Sequence, residues 1–181
     1  WVEENQLVSD TPRLTITDGL IVTAQARQDL TGESQLQVLT KSKDPIRRSD
    51  GWGYFEVTIL DPGPTRIVTI GLVNQDYPTK GKQPGWVKDS YGFHGDDGHI
   101  FHNSGAGSHF AEGFVAGDVA GVGINWVTQR IFFTKNGEFC GSPYAYPQSD
   151  AYWPAIGFSG AGKARMNFGT VPFRFNFCAR S

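Results

Sequence analysis

At 181 residues the chain suits one ordinary domain with a buried core, and 23 glycines with 10 prolines are too much punctuation for a helix bundle. Aromatic residues at 13% and charged residues at only 19% exclude a disordered chain and a coiled coil. With 16 basic against 18 acidic side chains the formal net charge is -2, so the totals show no phosphate-neutralising surface and nucleic acid is not an expected partner.

In chain order, Leu14-Thr15-Ile16 and Leu20-Ile21-Val22 bracket Thr17-Asp18-Gly19, a turn signal, and Gln35 to Thr40 alternates Leu36, Val38 and Thr40 with mostly polar neighbours. Tyr54 to Leu60 is aromatic and β-branched, with Phe55, Val57 and Ile59 on one face, which marks them as core. Asp61-Pro62-Gly63-Pro64 reads as a hairpin loop into the strand Arg66–Val73. Val119–Asn125 is apolar and interrupted by glycine. Lys135-Asn136-Gly137 between Arg130–Thr134 and Glu138–Cys140 is the strongest hairpin signal in the chain, because both Asn and Gly tolerate the left-handed region that a type I′ turn needs. Ala155–Phe158 and Ala164–Phe168 are two more strands. Helical periodicity is weak, and Pro12 and Pro172 limit helical pieces to short stretches at the termini. About a dozen short strands with turns between them predict one all-β, two-sheet antiparallel sandwich over residues 1–181. No composition shift marks a domain boundary.

No apolar run approaches the roughly 20 residues that span a bilayer, so no membrane association is expected. The opening Trp1-Val2-Glu3-Glu4 lacks an initiator methionine and a basic region, which reads as a trimmed chain with no visible signal peptide. Cys140 and Cys178 allow at most one bridge and exclude a disulfide-built scaffold.

The ordered series of short motifs resembles the SPRY domain. It comprises Asp18-Gly19-Leu20 with Val22, Pro45-Ile46, Gly53-Tyr54-Phe55-Glu56-Val57, Ile70-Gly71-Leu72, Gly117-Asp118-Val119, Phe133-Thr134-Lys135-Asn136-Gly137, Tyr152-Trp153-Pro154 and Asn167-Phe168-Gly169. Pro84-Gly85-Trp86 and Ser90 to Gly98 resemble the Ran-binding protein M subgroup in particular. The resemblance runs from about Leu14 to Phe175. It implies a bent sandwich that binds a protein or peptide through loops at one end, acting as a monomer without cofactor or catalytic residue. Arg13-Leu14 through Val22 also fit the SPRY effectors that cyst nematodes secrete into plant cells, which would place the protein among host proteins; outside that branch the cytoplasm or nucleus is implied.

The long segments Asn74–Asp89 and Asn103–Asp118, with Lys41–Gly51, are where function is expected, since long loops in a compact β domain tend to be functional. Aromatics in a polar loop either pin it or serve as anchors; Tyr77 and Trp86 are both contact candidates, Tyr77 the better one, since Pro84-Gly85-Trp86 more readily pins the loop. In Lys43-Asp44-Pro45-Ile46-Arg47-Arg48, the resemblance makes Asp44, Arg47 and Arg48 contact candidates. Lys80 and Lys82 add local positive charge. The resemblance also points to the loop after Ile156–Phe158, where Ser159 and Ala161 are small in place of the large aromatic that some peptide-binding relatives offer.

Other chemistries are weaker. His94, Asp96, Asp97, His99 and His102 carry metal-ligand atoms, but Gly95-Asp96-Asp97-Gly98 reads as a hairpin turn, and strand residues three apart point to opposite faces, so no metal site is expected. Gly157-Phe158-Ser159-Gly160-Ala161 lacks the last glycine and the helix of a nucleophile elbow. Gly105-Ala106-Gly107-Ser108 lacks the lysine and helix of a phosphate cradle. The alternatives to a protein-binding module are a carbohydrate-binding or hydrolytic β-sandwich and the substrate-recognition part of a ubiquitin-ligase adaptor.

Overall fold

A computed structural model describes residues 5–26 and 36–180. In chain order the strands are β1 (Leu7–Val8), β2 (Leu14–Thr17), β3 (Ile21–Ala24), β4 (Gln37–Ser42), β5 (Ile46–Arg47), β6 (Trp52–Asp61), β7 (Val68–Val73) and β8 (Tyr91–His94). They continue as β9 (His99–His102), β10 (Ser108–His109), β11 (Val119–Asn125), β12 (Arg130–Lys135), β13 (Glu138–Ala145), β14 (Ala151–Ser159) and β15 (Gly162–Asn167). Two 3₁₀ turns, Arg48–Asp50 and Phe177–Arg180, are the named helical elements. No helix among the described residues is long and apolar enough to cross a membrane.

Every named pairing is antiparallel, as the sandwich reading requires. One sheet runs β1-β4-β14-β7-β8-β9-β10, with β5 added to β14; the other runs β13-β12-β11-β6-β15-β3-β2. Two expected hairpins form because their turn residues accept the left-handed region. Asp18 and Gly19 have φ of 54° and 68° between β2 and β3, and Asn136 and Gly137 have φ of 51° and 82° between β12 and β13. The alternating run that begins at Gln35, a residue outside those described, continues as β4.

The expected hairpin at Asp61–Pro64 is corrected. β6 lies in the second sheet and β7 in the first, so these residues form a crossing between layers. The turn chemistry itself is as expected: Asp61 Oδ1 accepts the Gly63 N–H at 2.8 Å. A turn motif reverses the chain without choosing the sheet that receives it. Here a Cβ at Gly63 would sit 1.8 Å from the Ala161 carbonyl oxygen, so this crossing packs against another, the one between β14 and β15.

The inner faces meet as period-2 patterning demands. Phe55, Val57 and Ile59 of β6 join Val68, Ile70 and Leu72 of β7, Val122 and Ile124 of β11, and Ile156 and Phe158 of β14 in one buried cluster. Phe93 is its aromatic hub, with ring centroids 5.2 Å from Phe114 and 5.5 Å from Phe133. Phe55 is 0% exposed. Phe55→Ala should therefore destabilise the fold by about 3–5 kcal/mol, read as a lower midpoint in urea; a cost on the order of 1 kcal/mol would show that the site collapses around the change.

Candidate partner-binding face

The segment 74–89, with several of the expected contact residues, covers the outer face of the first sheet. Gly71 of β7 is in register with Gly92 of β8, and Gly157 of β14 lies one strand over. A Cβ at Gly71 would stand 2.8 Å from Pro84 Cβ, one at Gly92 2.0 Å from the Pro84 carbonyl oxygen, and one at Gly157 2.1 Å from Gln83 Oε1. These three positions let the segment 74–89 lie directly on the sheet. The covering loop is then stapled. Tyr77 Oη donates to the Gln83 carbonyl at 2.6 Å and accepts the Val87 N–H at 3.2 Å. Its ring packs in a small cluster with Leu39, Val73 and Ala155.

Tyr77 is thus 3% exposed, and burial raises its hydroxyl pKa above the ordinary value. The expectation that it stands out as an exposed anchor is corrected: it pins the loop, on an apolar patch that the local sequence could not reveal, and it lines the groove described below. Trp86 is half-buried, its ring 6.0 Å from His94 and 6.3 Å from Phe101, so it also secures the loop.

Ser159 is also drawn inward. Its Oγ accepts from Gln37 Nε2 at 3.1 Å, its carbonyl accepts from Thr65 Oγ1 at 2.6 Å, and the Gln37 amide oxygen accepts from Gln83 Nε2. Ser159 is buried and its hydroxyl faces an amide, while Ala161 is half-buried at the layer crossing. Lys80 and Lys82 are exposed beside them: Val38 bridges Lys80, and the Gly81 N–H donates to the Gln37 carbonyl.

Asp44, Arg47 and Arg48 lie at the other end of the same sheet. The Asn5 side chain clamps the Asp44 backbone, donating to its carbonyl at 2.8 Å and accepting its N–H at 3.0 Å. Arg47 pairs in register with Ala151 and is exposed. Arg48 Nε donates to Asp150 Oδ1 at 2.6 Å, and its guanidinium lies 6.0 Å from the Trp126 ring centre. β14 runs from Ala151 to Ser159, so at about 3.3 Å per residue the two groups of candidates stand roughly 25 Å apart. The structure does not bring them into one site.

A groove of about 540 Å³ opens at the arginine end, with Asn74–Pro78 on one wall, Ser149–Ala151 on the other and Trp153 between. Asp89 ties the walls together, one oxygen accepting from the Ser149 hydroxyl and the other from the Tyr152 hydroxyl. Lys41 donates to the Gln75 carbonyl with its ammonium 5.6 Å from the Trp153 ring centre. Burial lowers the Lys41 pKa, opposed by Asp76 and Asp10. Asp150 looks ordinary in a turn, Trp153 entered only as part of a family motif and Lys41 only as the start of the segment Lys41–Gly51; only the sheet register collects the three.

At the β8–β9 turn, His94, Asp96 and Asp97 each place one ligand atom within 4.8 Å of the others. Asp97 is already engaged, accepting the His99 N–H at 3.0 Å and lying 3.1 Å from His99 Nδ1. His102 turns away to stack on Tyr91, with centroids 4.4 Å apart. His94 is 4% exposed with its ring 4.0 Å from that of Phe101, and burial holds its pKa down at about 4, against the pull of Asp97. Cys140 is half-buried and carries a free thiol whose pKa burial raises.

Comparison with known proteins supplies the context. The SPRY domain family profile matches residues 53–171. The Drosophila melanogaster "Ran-binding proteins 9/10 homolog" is 40% identical over 133 residues, covering 73% of this chain and 14% of that protein. Human "Ran-binding protein 9" is 38% identical over 137 residues, covering 75% of this chain and 18% of that protein. The chain therefore spans a minor part of these relatives. A crystal structure of a human SPRY domain superposes with a TM-score of 0.73 at 28% identity, covering 88% of this chain and 98% of that one. The SPRY domain of human HERC1 superposes with a TM-score of 0.70 at 13% identity, covering 88% and 94%, a likeness of fold.

Two outcomes follow for the covering loop and the turn beneath it. Tyr77→Ala should destabilise the domain by about 3–5 kcal/mol, as removal of a buried ring does, whereas an unchanged melting temperature would return Tyr77 to the surface. For His94, the unfolded chain takes up a proton near pH 6.5 that the folded chain refuses until about pH 4. Its contribution is therefore full above pH 6.5 and is lost as pH falls toward 4, by up to about 3 kcal/mol. Urea unfolding at pH 7 and 4.5 should show this loss in the native chain and a smaller one in His94→Phe.

Proposed function

Since the chain belongs to the SPRY domain family, whose members mediate protein interactions, we propose that it is a non-catalytic module that binds a partner protein or peptide at the arginine end of its first sheet. The observation that carries this reading is the braced groove. Its walls are held before binding by Asp89 and by the stapled loop, so a ligand need not order them. Trp153 lines it, and Arg47 and Arg48 are paired with the lining residues Ala151 and Asp150; Trp and Arg are residue types that dominate interface hot spots. About 540 Å³ suits a few side chains of an extended segment or a projecting loop. A narrower reading, a secreted effector directed at host proteins, has its support in the resemblance of Arg13 to Val22 noted above.

The test uses the domain as bait, identifies the captured protein and titrates it against variants. Arg47→Ala should weaken affinity about tenfold while the melting temperature holds, because the side chain is exposed. Lys80→Ala and Lys82→Ala, roughly 25 Å away, should leave affinity unchanged. Loss of affinity in the lysine variants with none in Arg47→Ala would move the site to the opposite end.

A further inference from the structure

The second sheet holds a different kind of feature. Alternation along β6 sends Phe55 and Val57 inward and leaves Tyr54 and Glu56 facing out. Yet Tyr54 is 1% and Glu56 4% exposed. The cover is the chain's own segment 172–177, which belongs to no strand up to residue 176. Asn167 folds the chain back for it, accepting the Gly169 N–H at 2.9 Å and donating to the Val171 carbonyl at 3.1 Å.

The strap is held in the manner of a ligand. Glu56 Oε2 accepts the Arg174 N–H at 2.9 Å, and Oε1 accepts both the Phe175 N–H and the Tyr54 hydroxyl at 2.9 Å. Two of these bonds come from successive backbone amides, which the bend at residues 174–175 turns to the same side. Phe173, Phe175 and Phe177, at alternate positions, place their ring centroids 4.9, 5.8 and 5.1 Å from that of Tyr54. Tyr54 and Phe132 lie parallel, 5.9 Å apart and 6° between planes. They lie flat over glycine: a Cβ at Gly121 would meet Tyr54 Oη at 2.2 Å, and one at Gly123 would meet the Phe132 ring at 2.0 Å. Clefts of about 440 Å³ and 310 Å³ stay open beside the strap, the first beside Glu56 and Arg174, the second beside Trp52 and Phe173. The family match ends at residue 171, so the floor lies within it and the strap beyond it.

We propose that this face is a second binding site, specific for a bent segment with aromatic side chains at alternate positions and two successive amides turned to one carboxylate, and that residues 172–177 are the ligand it holds in cis. Glu56 reads the backbone amides and the Tyr54–Phe132 floor reads the rings. A partner segment of that chemistry binds by displacing the strap, so the strap sets the affinity threshold that the partner must exceed.

The probe is a fluorescent peptide carrying residues 171–178 with serine at the cysteine position, titrated against the full chain and against a full-length Phe173→Ala, Phe175→Ala, Phe177→Ala variant. With its strap weakened and its floor intact, the variant should bind the peptide about tenfold or more tightly than the parent. Adding Glu56→Gln should remove most of that gain. Restoration of a lowered melting temperature by the peptide supports the same conclusion. Equal, weak binding to the parent and to a variant that still melts cooperatively would overturn it. So would a variant whose cooperative melting is lost and not restored by excess peptide, because the strap would then be part of the core.

Discussion

The covering loop touches the first sheet only because Gly71, Gly92 and Gly157 present no Cβ to it. A methyl group at any of them would stand 2.8 Å or less from atoms of Gln83 or Pro84. Everything on that face follows from this close approach. It brings Tyr77 down onto Leu39 and Ala155, sets Gln83 against Gln37, and slides Trp86 beside His94. The groove exists because the loop, once inlaid, leaves a gap to the β13–β14 turn that Asp89 spans.

The second sheet uses the same device with different contents. Gly121 and Gly123 floor its outer face, aromatic rings lie in the space, and a chain segment closes it from above. Both outer faces, which a bare sandwich would leave wet, are therefore partly dry. This accounts for an aromatic content larger than one inter-sheet core needs. It also accounts for buried polar groups on those faces: Glu56 and Gln37 are buried because a covering segment brings hydrogen-bonding partners with it, the 174–175 amides for one and Gln83 for the other.

Charge is handled at the rim. Arg48 and Asp150 pair where solvent screens them, so the pair contributes on the order of 0–1 kcal/mol and serves mainly to place Asp150 at the groove. Asp89 is the more consequential carboxylate, since one oxygen accepts the Ser149 hydroxyl of the facing wall and the other the hydroxyl of Tyr152, whose ring is in the core. A groove built this way is held open by the chain's own hydrogen bonds, with no ligand needed to order its walls.

The amino-acid sequence by itself determined the class of fold, the core face of β6 and the tight turns. These rest on local physics: side-chain alternation, and residues such as Asn136 and Gly137 that adopt positive φ. It also showed the family resemblance, carried by many short motifs in order. What only the tertiary structure decided is which sheet each strand joins and which face each loop covers. Asp61–Pro64 is chemically a good turn whether it makes a hairpin or crosses between layers, and Tyr77 is an aromatic in a polar loop whether or not an apolar patch lies beneath it. Ser159 belongs to β14 and Arg47 pairs with it, yet they stand at its opposite ends. Contacts between residues distant in sequence depend on sheet order and register, and no local pattern carries either.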